Sequence, residues 1–339
     1  MKSTRTLTAM LAALLFLGLG GIWQTRLTAG RTAMGLPPGD TVAGTPPLVT
    51  LSTVMLGGFR GLLADVLWLR ASHLQEQGRY FELVQLADWI TKLEPHSTLT
   101  WGYQAWNMAY NISAMLAEPV ERWQWVQNGI RLLRDDGLRY NPRDARLHFE
   151  LGWIFQHKIG TQRDQAAPYY QQRLALDVEA VLPGGELTQA PPDATTAAAL
   201  RRQFGLDVAE MARLMERVGP LDWRLPESHA IYWADQGLRA SGDAQNLLCA
   251  RMRMQCLAHS FFAGRLTLKP DARVYRREPR PELLDPVLSA FQDMLRTKTW
   301  SGAQEFYTTF LKAATDTLTT LDRPDDATRV RILLAQQPR

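Results

Sequence analysis

The chain has 339 residues, of which 46% are hydrophobic and 21% are charged, and its formal net charge is +4. These values are typical of a folded protein and exclude wholesale disorder, while the length allows one long repeat array or two compact domains. The one dense basic run, Arg273 to Glu282, is interpreted as a solvated loop, so nucleic-acid binding is not expected.

The N-terminus predicts a membrane segment. Residues 1–5 carry two basic side chains, and residues 6–23 are uncharged and end on a tryptophan. About 17 apolar residues suffice to span a bilayer core, so we interpret 6–23 as a transmembrane signal anchor. A cleaved signal peptide is the alternative, because Arg26 to Gly30 is a fair cleavage sequence.

The basic N-terminus would stay in the cytoplasm. The short anchor and the arginine-rich composition place the rest on the periplasmic side of a bacterial inner membrane.

Residues 24–48 combine Pro-Pro pairs with glycine and small residues, which predicts a linker. The following stretch, Val54 to Ala71, is nearly apolar enough for a second span, but Arg60, Asp65 and Arg70 would be costly in a bilayer. We therefore expect a buried or membrane-skimming first helix there.

Beyond the linker, apolar residues recur at helical spacing and no regular strand alternation is found, which predicts an all-α fold. The expected divisions are a helical repeat domain at 49–262, a loop at 263–281 with room for one irregular hairpin, and C-terminal helices at 282–339. Helical blocks are predicted at 52–77, 80–94, 97–115, 118–140, 144–157, 164–181, 195–217, 227–240, 243–262, 283–297, 301–321 and 325–335.

One interval recurs along these helices: a proline, a large side chain six residues later, and a small residue four beyond that. It occurs at Pro95, Trp101 and Ala105, and again at Pro142, His148 and Gly152. The large and small positions alone recur at Leu67 and Ala71 and at Trp233 and Gly237. A small residue at such a position lets two helices approach closely.

This pattern resembles the tetratricopeptide repeat, a helix-turn-helix unit of 34 residues. The first unit would run from Ala64 to Ser97. A second, elongated unit would begin near Thr98, a third at Ala145, and a fourth would cover Ala230 to Phe262. The resemblance covers about 200 residues and implies an α-α superhelix of stacked hairpins. The C-terminal helices would then be degenerate repeats or a cap.

In tetratricopeptide proteins the first helices of successive units line a concave groove that binds a partner. Large, mostly aromatic side chains of the types that dominate interface energies would line it here. By this resemblance the partner-binding residues are Trp68, Trp106, Tyr110, Arg146, Phe149, Trp153 and His157.

Few residues suggest chemistry, and no catalytic or metal-ligating residue is assigned. His148 and His157 should point to opposite sides of their helix, which argues against a shared metal. Cys249 and Cys256 stand about 10 Å apart on one helix, too far for a disulfide, and are expected to be small buried residues.

The segment from Gly219 to Leu238 is dense in polar residues, with Asp222, Arg224, Glu227 and His229. A structured turn at a helix start is favoured over a catalytic site there.

These observations predict a membrane-tethered, non-enzymatic scaffold or adaptor that binds a protein partner of unknown identity and needs no cofactor or metal. One alternative is an enzyme of unfamiliar type with its site near Asp222 to His229. Another is a glycan- or lipid-binding helical repeat protein.

Overall fold

The computed structural model describes residues 59–188, 192–240, 247–269, 274–297 and 300–337, together with four isolated positions at 23, 26, 29 and 30. The predicted anchor and linker lie almost entirely outside these residues. The residues that the structure describes are 77% helical with almost no strand, which confirms the all-α prediction. Among the residues described, no helix combines the length and the apolarity that crossing a membrane requires.

The chain divides into two compact units, Met1–Asn107 and Met108–Arg339. The helices described in the first unit are α1 (Phe59–Glu76), α2 (Tyr80–Leu93) and α3 (Thr98–Trp106). In the second unit they are α4 (Pro119–Arg131), α5 (Ala145–Trp153), α6 (Ala167–Glu179), α7 (Ala194–Phe204), α8 (Val208–Val218), α9 (Pro226–Ala240), α10 (Leu247–Ala263), α11 (Leu284–Thr297), α12 (Ala303–Thr320) and α13 (Pro324–Ala335).

Three wide π-helical turns follow α3, α4 and α5, at Asn107–Ile112, Leu132–Gly137 and Ile154–Ile159. Short α-helical turns, Ser113–Met115 and Leu138–Tyr140, follow the first two of them. Turns with i to i+5 hydrogen bonds are rare and are frequent at functional sites. Helical structure is thus found across the blocks predicted at 97–115, 118–140 and 144–157. Each block contains a π-helical turn, which apolar periodicity alone does not predict.

The first unit is built on the α1–α2 hairpin. Gly78 has φ +68°, the left-handed conformation that glycine tolerates at a helix end. The amide of Arg79 donates to the carbonyl of Leu74 at 2.9 Å, which closes the turn. Leu83 and Ile90 of α2 then pack with α1 in a buried apolar cluster.

The repeated proline interval corresponds to a hydrogen bond at each helix entry. Nε1 of Trp101 donates to the carbonyl of Pro95 at 2.8 Å, and Nε2 of His148 lies 3.2 Å from the carbonyl of Pro142. Both side chains stand in the first turns of their helices and reach back six residues across the turn. The interval therefore has a local cause, because it satisfies the carbonyl that precedes each helix.

Helices α5 and α9 pack antiparallel at the centre of the second unit. A Cβ on Gly152 would lie 2.7 Å from Sδ of Met252 and 3.5 Å from Cβ of Trp233. A Cβ on Gly237 would lie 2.6 Å from Sγ of Cys249 and 3.1 Å from Cβ of His148. The rings of His148 and Trp233 also stack, with centroids 6.1 Å apart. The two large-and-small pairs of the sequence pattern thus pack against each other.

One predicted helix needs correction, and the hairpin for which the predicted loop at 263–281 had room is present. The single helix predicted at 195–217 is wrong, because Gly205 ends α7 in the left-handed conformation with φ +71°. Asp207 then caps α8 by accepting hydrogen bonds from the amides of Ala209 and Glu210. The loop predicted at 263–281 contains an antiparallel hairpin of β1 (Arg265–Lys269) and β2 (Val274–Glu278), in which Arg265 pairs with Glu278.

The α5–α9 contact predicts a stability difference between two helical glycines. Gly237→Ala should lower the free energy of unfolding by about 1–3 kcal/mol, since its Cβ would overlap Cys249. Gly61→Ala is the matched control, because no atom of the described residues lies within 4 Å of its added Cβ, and it should be neutral or stabilising by up to about 1 kcal/mol. Urea denaturation followed by circular dichroism measures both. Equal effects would contradict close packing at Gly237.

Candidate binding cleft

A row of stacked side chains runs along one face of α5 and its π-helical turn. The guanidinium of Arg146 lies 5.6 Å from the ring centroid of Phe149. Phe149 stacks on Trp153 at 5.8 Å, and Trp153 stacks on His157 at 4.8 Å with a 9° angle between the rings. Nδ1 of His157 lies 3.3 Å from the hydroxyl of Tyr110. We call these five residues the aromatic row.

The structure brings together five of the seven predicted partner-binding residues, and they are all partly or fully exposed. The other two, Trp68 and Trp106, belong to the first unit. Trp68 makes an edge contact with Tyr103 at 5.3 Å and packs against the buried cluster of the hairpin. Trp106 is 40% exposed.

An apolar cleft of about 720 Å³ opens beside the aromatic row. Trp153 and His157 form one wall, while Phe262 of α10 and Phe306 and Phe310 of α12 supply further aromatic surface. The amide side chains of Gln156, Gln162 and Gln255 and the hydroxyls of Thr161 and Thr309 also line it. A mostly apolar cleft with a few polar groups is the usual character of a binding site.

Glu227 is the one acidic residue that lines this cleft, and it is only 5% exposed. Its Oε1 accepts hydrogen bonds from Nη1 of Arg277 at 2.9 Å and from Nδ1 of His259 at 3.1 Å. Burial by itself would raise the pKa of Glu227, but the His259 hydrogen bond and the Arg277 charge outweigh it and lower the pKa to about 2. Glu227 is therefore an ionised, paired carboxylate at neutral pH.

A second pocket, of about 410 Å³, shares His157 and Arg163 with the apolar cleft. We call it the basic pocket, because its lining includes three basic side chains, Arg122, Lys158 and Arg163, and one carboxylate, Asp164. Nζ of Lys158 lies 2.5 Å and Nη2 of Arg122 lies 2.8 Å from the Asp164 carboxylate. Burial lowers the pKa of Lys158, and the bond to Asp164 opposes this shift.

The polar side chains at Asp222, Arg224 and His229 are buried and bonded within the fold. The Asp222 carboxylate is fully buried and accepts hydrogen bonds from Arg224 and from the amide of Leu266. Arg224 also donates to Glu179 at 2.9 Å. His229 donates from Nε2 to the carbonyl of Trp223, and its ring stacks on Phe155. These groups are saturated or enclosed, so the favoured interpretation as a structured turn agrees with the geometry.

The structure also describes the histidines and cysteines that the sequence analysis considered. His148 faces Trp233 while His157 stacks on Trp153, so the two histidines diverge as predicted. Cys249 and Cys256 are free and buried, also as predicted, and burial raises the pKa of both thiols. Among the residues that the structure describes, no group of three or more histidine, cysteine or acidic side chains is arranged to hold a metal.

Sequence reasoning missed several residues of the cleft and the basic pocket, namely Arg122, Lys158, Arg163, Asp164, His259, Phe262, Arg277, Phe306 and Phe310. The sequence "FQHK" from Phe155 to Lys158 could have indicated one of them. In it a lysine directly follows His157, at the end of the aromatic positions of α5.

Comparisons with known proteins give no relative: no family model matches the chain, and no curated protein or solved structure matches it. The resemblance to the tetratricopeptide repeat therefore stays a prediction.

The buried ion pair of Asp222 predicts a large stability effect. Asp222→Asn should lower the free energy of unfolding by about 3 kcal/mol, because Arg224 would lose a buried charged partner. Asp293→Asn is the control: Asp293 pairs with Arg296 on the surface and should contribute less than about 1 kcal/mol. Chemical denaturation compares the two variants. A stable Asp222→Asn protein would mean that the segment is not a structural turn.

His229 predicts a pH dependence of stability. Burial lowers its pKa from 6.5 to about 4 in the folded chain, so the unfolded chain binds the extra proton between these values. Stability should therefore fall by about 3 kcal/mol as the pH drops from 6.5 to 4. Unfolding free energies of the wild type and of His229→Gln, measured across this range, isolate the contribution. Parallel pH curves for the two proteins would contradict a buried neutral histidine.

Proposed function

We propose that the chain is a non-enzymatic scaffold that binds an extended segment of a protein partner across the aromatic row and the adjoining cleft. The observation that carries the proposal is the row itself: four rings and one guanidinium stack in sequence while remaining accessible to solvent. Stacked rings hold each other in one arrangement, so little side-chain entropy is lost when a partner covers them. Tyrosine, tryptophan and arginine are also the side chains that contribute most to interface energies.

Two further parts of the proposal rest on the sequence. The apolar segment at 6–23 would tether the protein to a bacterial inner membrane, with the scaffold on the periplasmic side. The repeated intervals support membership of the tetratricopeptide class, in which α-helical hairpins stack into a superhelix. The shared hydrogen bonds at the entries of α3 and α5 favour a common repeat origin for these helices.

The enzyme alternative has less support. Its site was expected near Asp222 to His229, but Asp222, Arg224 and His229 are at most 7% exposed and bond to other parts of the fold. A catalytic group must reach its substrate within hydrogen-bond distance. The lipid or glycan alternative would use the same aromatic surface, so capture of a protein that depends on this surface favours the protein-binding proposal.

A paired substitution tests the proposal. Phe149→Ala with Trp153→Ala should weaken capture of the partner at least tenfold, since each exposed ring that anchors an interface contributes more than about 1 kcal/mol. The control is Trp89→Ala, because Trp89 is 51% exposed on α2 and belongs to the other unit. The full-length chain is crosslinked in native membranes, and captured proteins are quantified by mass spectrometry. A partner captured equally by the wild type, the double variant and the control would overturn the proposed surface.

A further inference from the structure

The apolar cleft and the basic pocket are adjacent, because His157, a member of the aromatic row, lines both of them. Arg163 is the second residue that the two pockets share. A ligand that fills the apolar cleft therefore extends naturally toward basic side chains. We call the place where the two pockets meet, at His157 and Arg163, the junction. Its side chains determine which chemical groups a ligand needs there.

The basic pocket has an excess of positive charge. Three basic side chains, Arg122, Lys158 and Arg163, line it with one carboxylate, Asp164, which pairs with Arg122 and Lys158. Lys158 is only 5% exposed, and Nε of Arg122 is buried with no hydrogen-bond partner among the residues described. Arg163 is exposed, and the described residues contain no ion-pair partner for it. A second carboxylate, supplied by a ligand, would complement these groups.

The walls of the apolar cleft favour a peptide over a hydrocarbon chain. Amide and hydroxyl side chains that are not fully buried line it, namely Gln162, Gln255, Thr161 and Thr309. An alkyl chain covering this wall would take these polar groups away from water without offering them a hydrogen bond, which is costly. A peptide backbone carries N–H and C=O groups along its whole length and can pair with them.

We propose that the junction binds an acidic residue flanked by bulky apolar residues in an extended segment of the partner. The acidic side chain enters the basic pocket beside Arg163 and Lys158, and a neighbouring apolar side chain enters the cleft against Phe310. Glu227 does not compete for the same groups, because its carboxylate is already paired with Arg277 and His259. This inference rests on the proposed function, since it specifies the segment that the scaffold recognises.

Two pools of synthetic peptides test it on the full-length protein. Both are amidated pentapeptides with a fluorophore on the N-terminus and with leucine, phenylalanine or tryptophan on either side of the central residue, which is glutamate in one pool and glutamine in the other. We expect the glutamate pool to bind at least about tenfold more tightly, because a hydrogen bond to a charged group contributes about 1.5–3 kcal/mol. Fluorescence polarisation of labelled pools gives the apparent Kd.

Variants assign the preference to the pocket. Arg163→Gln removes an exposed charge without breaking a described ion pair and should reduce the glutamate preference by about threefold or more. Arg202→Gln, an exposed arginine on α7, is the control and should leave the preference unchanged. Raising the salt concentration should weaken the glutamate pool more than the glutamine pool.

Each outcome separates this inference from the proposed function. Equal binding of both pools, with loss of both in Trp153→Ala, would overturn the acidic preference and leave the aromatic surface intact. A preference that survives Arg163→Gln would overturn the role of the basic pocket. No binding of either pool at about 1 mM, the weak limit of useful recognition, would overturn both proposals. Dodecanoate binding in place of the peptides would also overturn them, in favour of a small amphiphile.

Discussion

The close contact between α5 and α9 determines what the second unit presents to solvent. Gly152 and Gly237 remove the side chains that would hold the helices apart, so His148 and Trp233 can stack between them. Once His148 and Gly152 face the core, helical geometry turns the positions of Phe149 and Trp153 toward the outside. The aromatic row is thus a consequence of the packing that buries the opposite side of the same helix.

The sequence revealed the helices and the recurring interval because both have local causes. Apolar spacing follows from the helical repeat, and the six-residue interval reflects a hydrogen bond from Trp101 or His148 back across its own turn. The partner of α5 could not be found in this way. Gly152 meets Trp233 of α9, about 80 residues later, and no local rule links those two positions. The split at Gly205 had a local signal, a glycine followed two residues later by a capping aspartate, which apolar spacing alone does not detect.

The candidate site was predictable to the extent that one helix carries it. Phe149, Trp153 and His157 recur on one face of a helix, so their proximity follows from spacing. His259 and Phe310 come from α10 and α12 and reach the cleft only through tertiary packing. The residues of the basic pocket could not be predicted from the sequence either. Asp164 pairs with nearby Lys158 but also with Arg122, which lies more than forty residues earlier.

The polar segment before α9 explains how a binding surface of this kind is kept rigid. Asp222 joins Arg224 to the backbone of β1, while Glu227, in the first turn of α9, joins His259 of α10 to Arg277 of β2. The first carboxylate therefore ties the segment before α9 to β1, and the second ties α9 to α10 and β2. Of the two, Glu227 lines the apolar cleft. A wall fixed by ion pairs needs little rearrangement when a ligand arrives, so less binding energy is lost to ordering. A segment rich in polar residues can therefore hold the wall of a binding site in place, and such a composition does not by itself indicate catalysis.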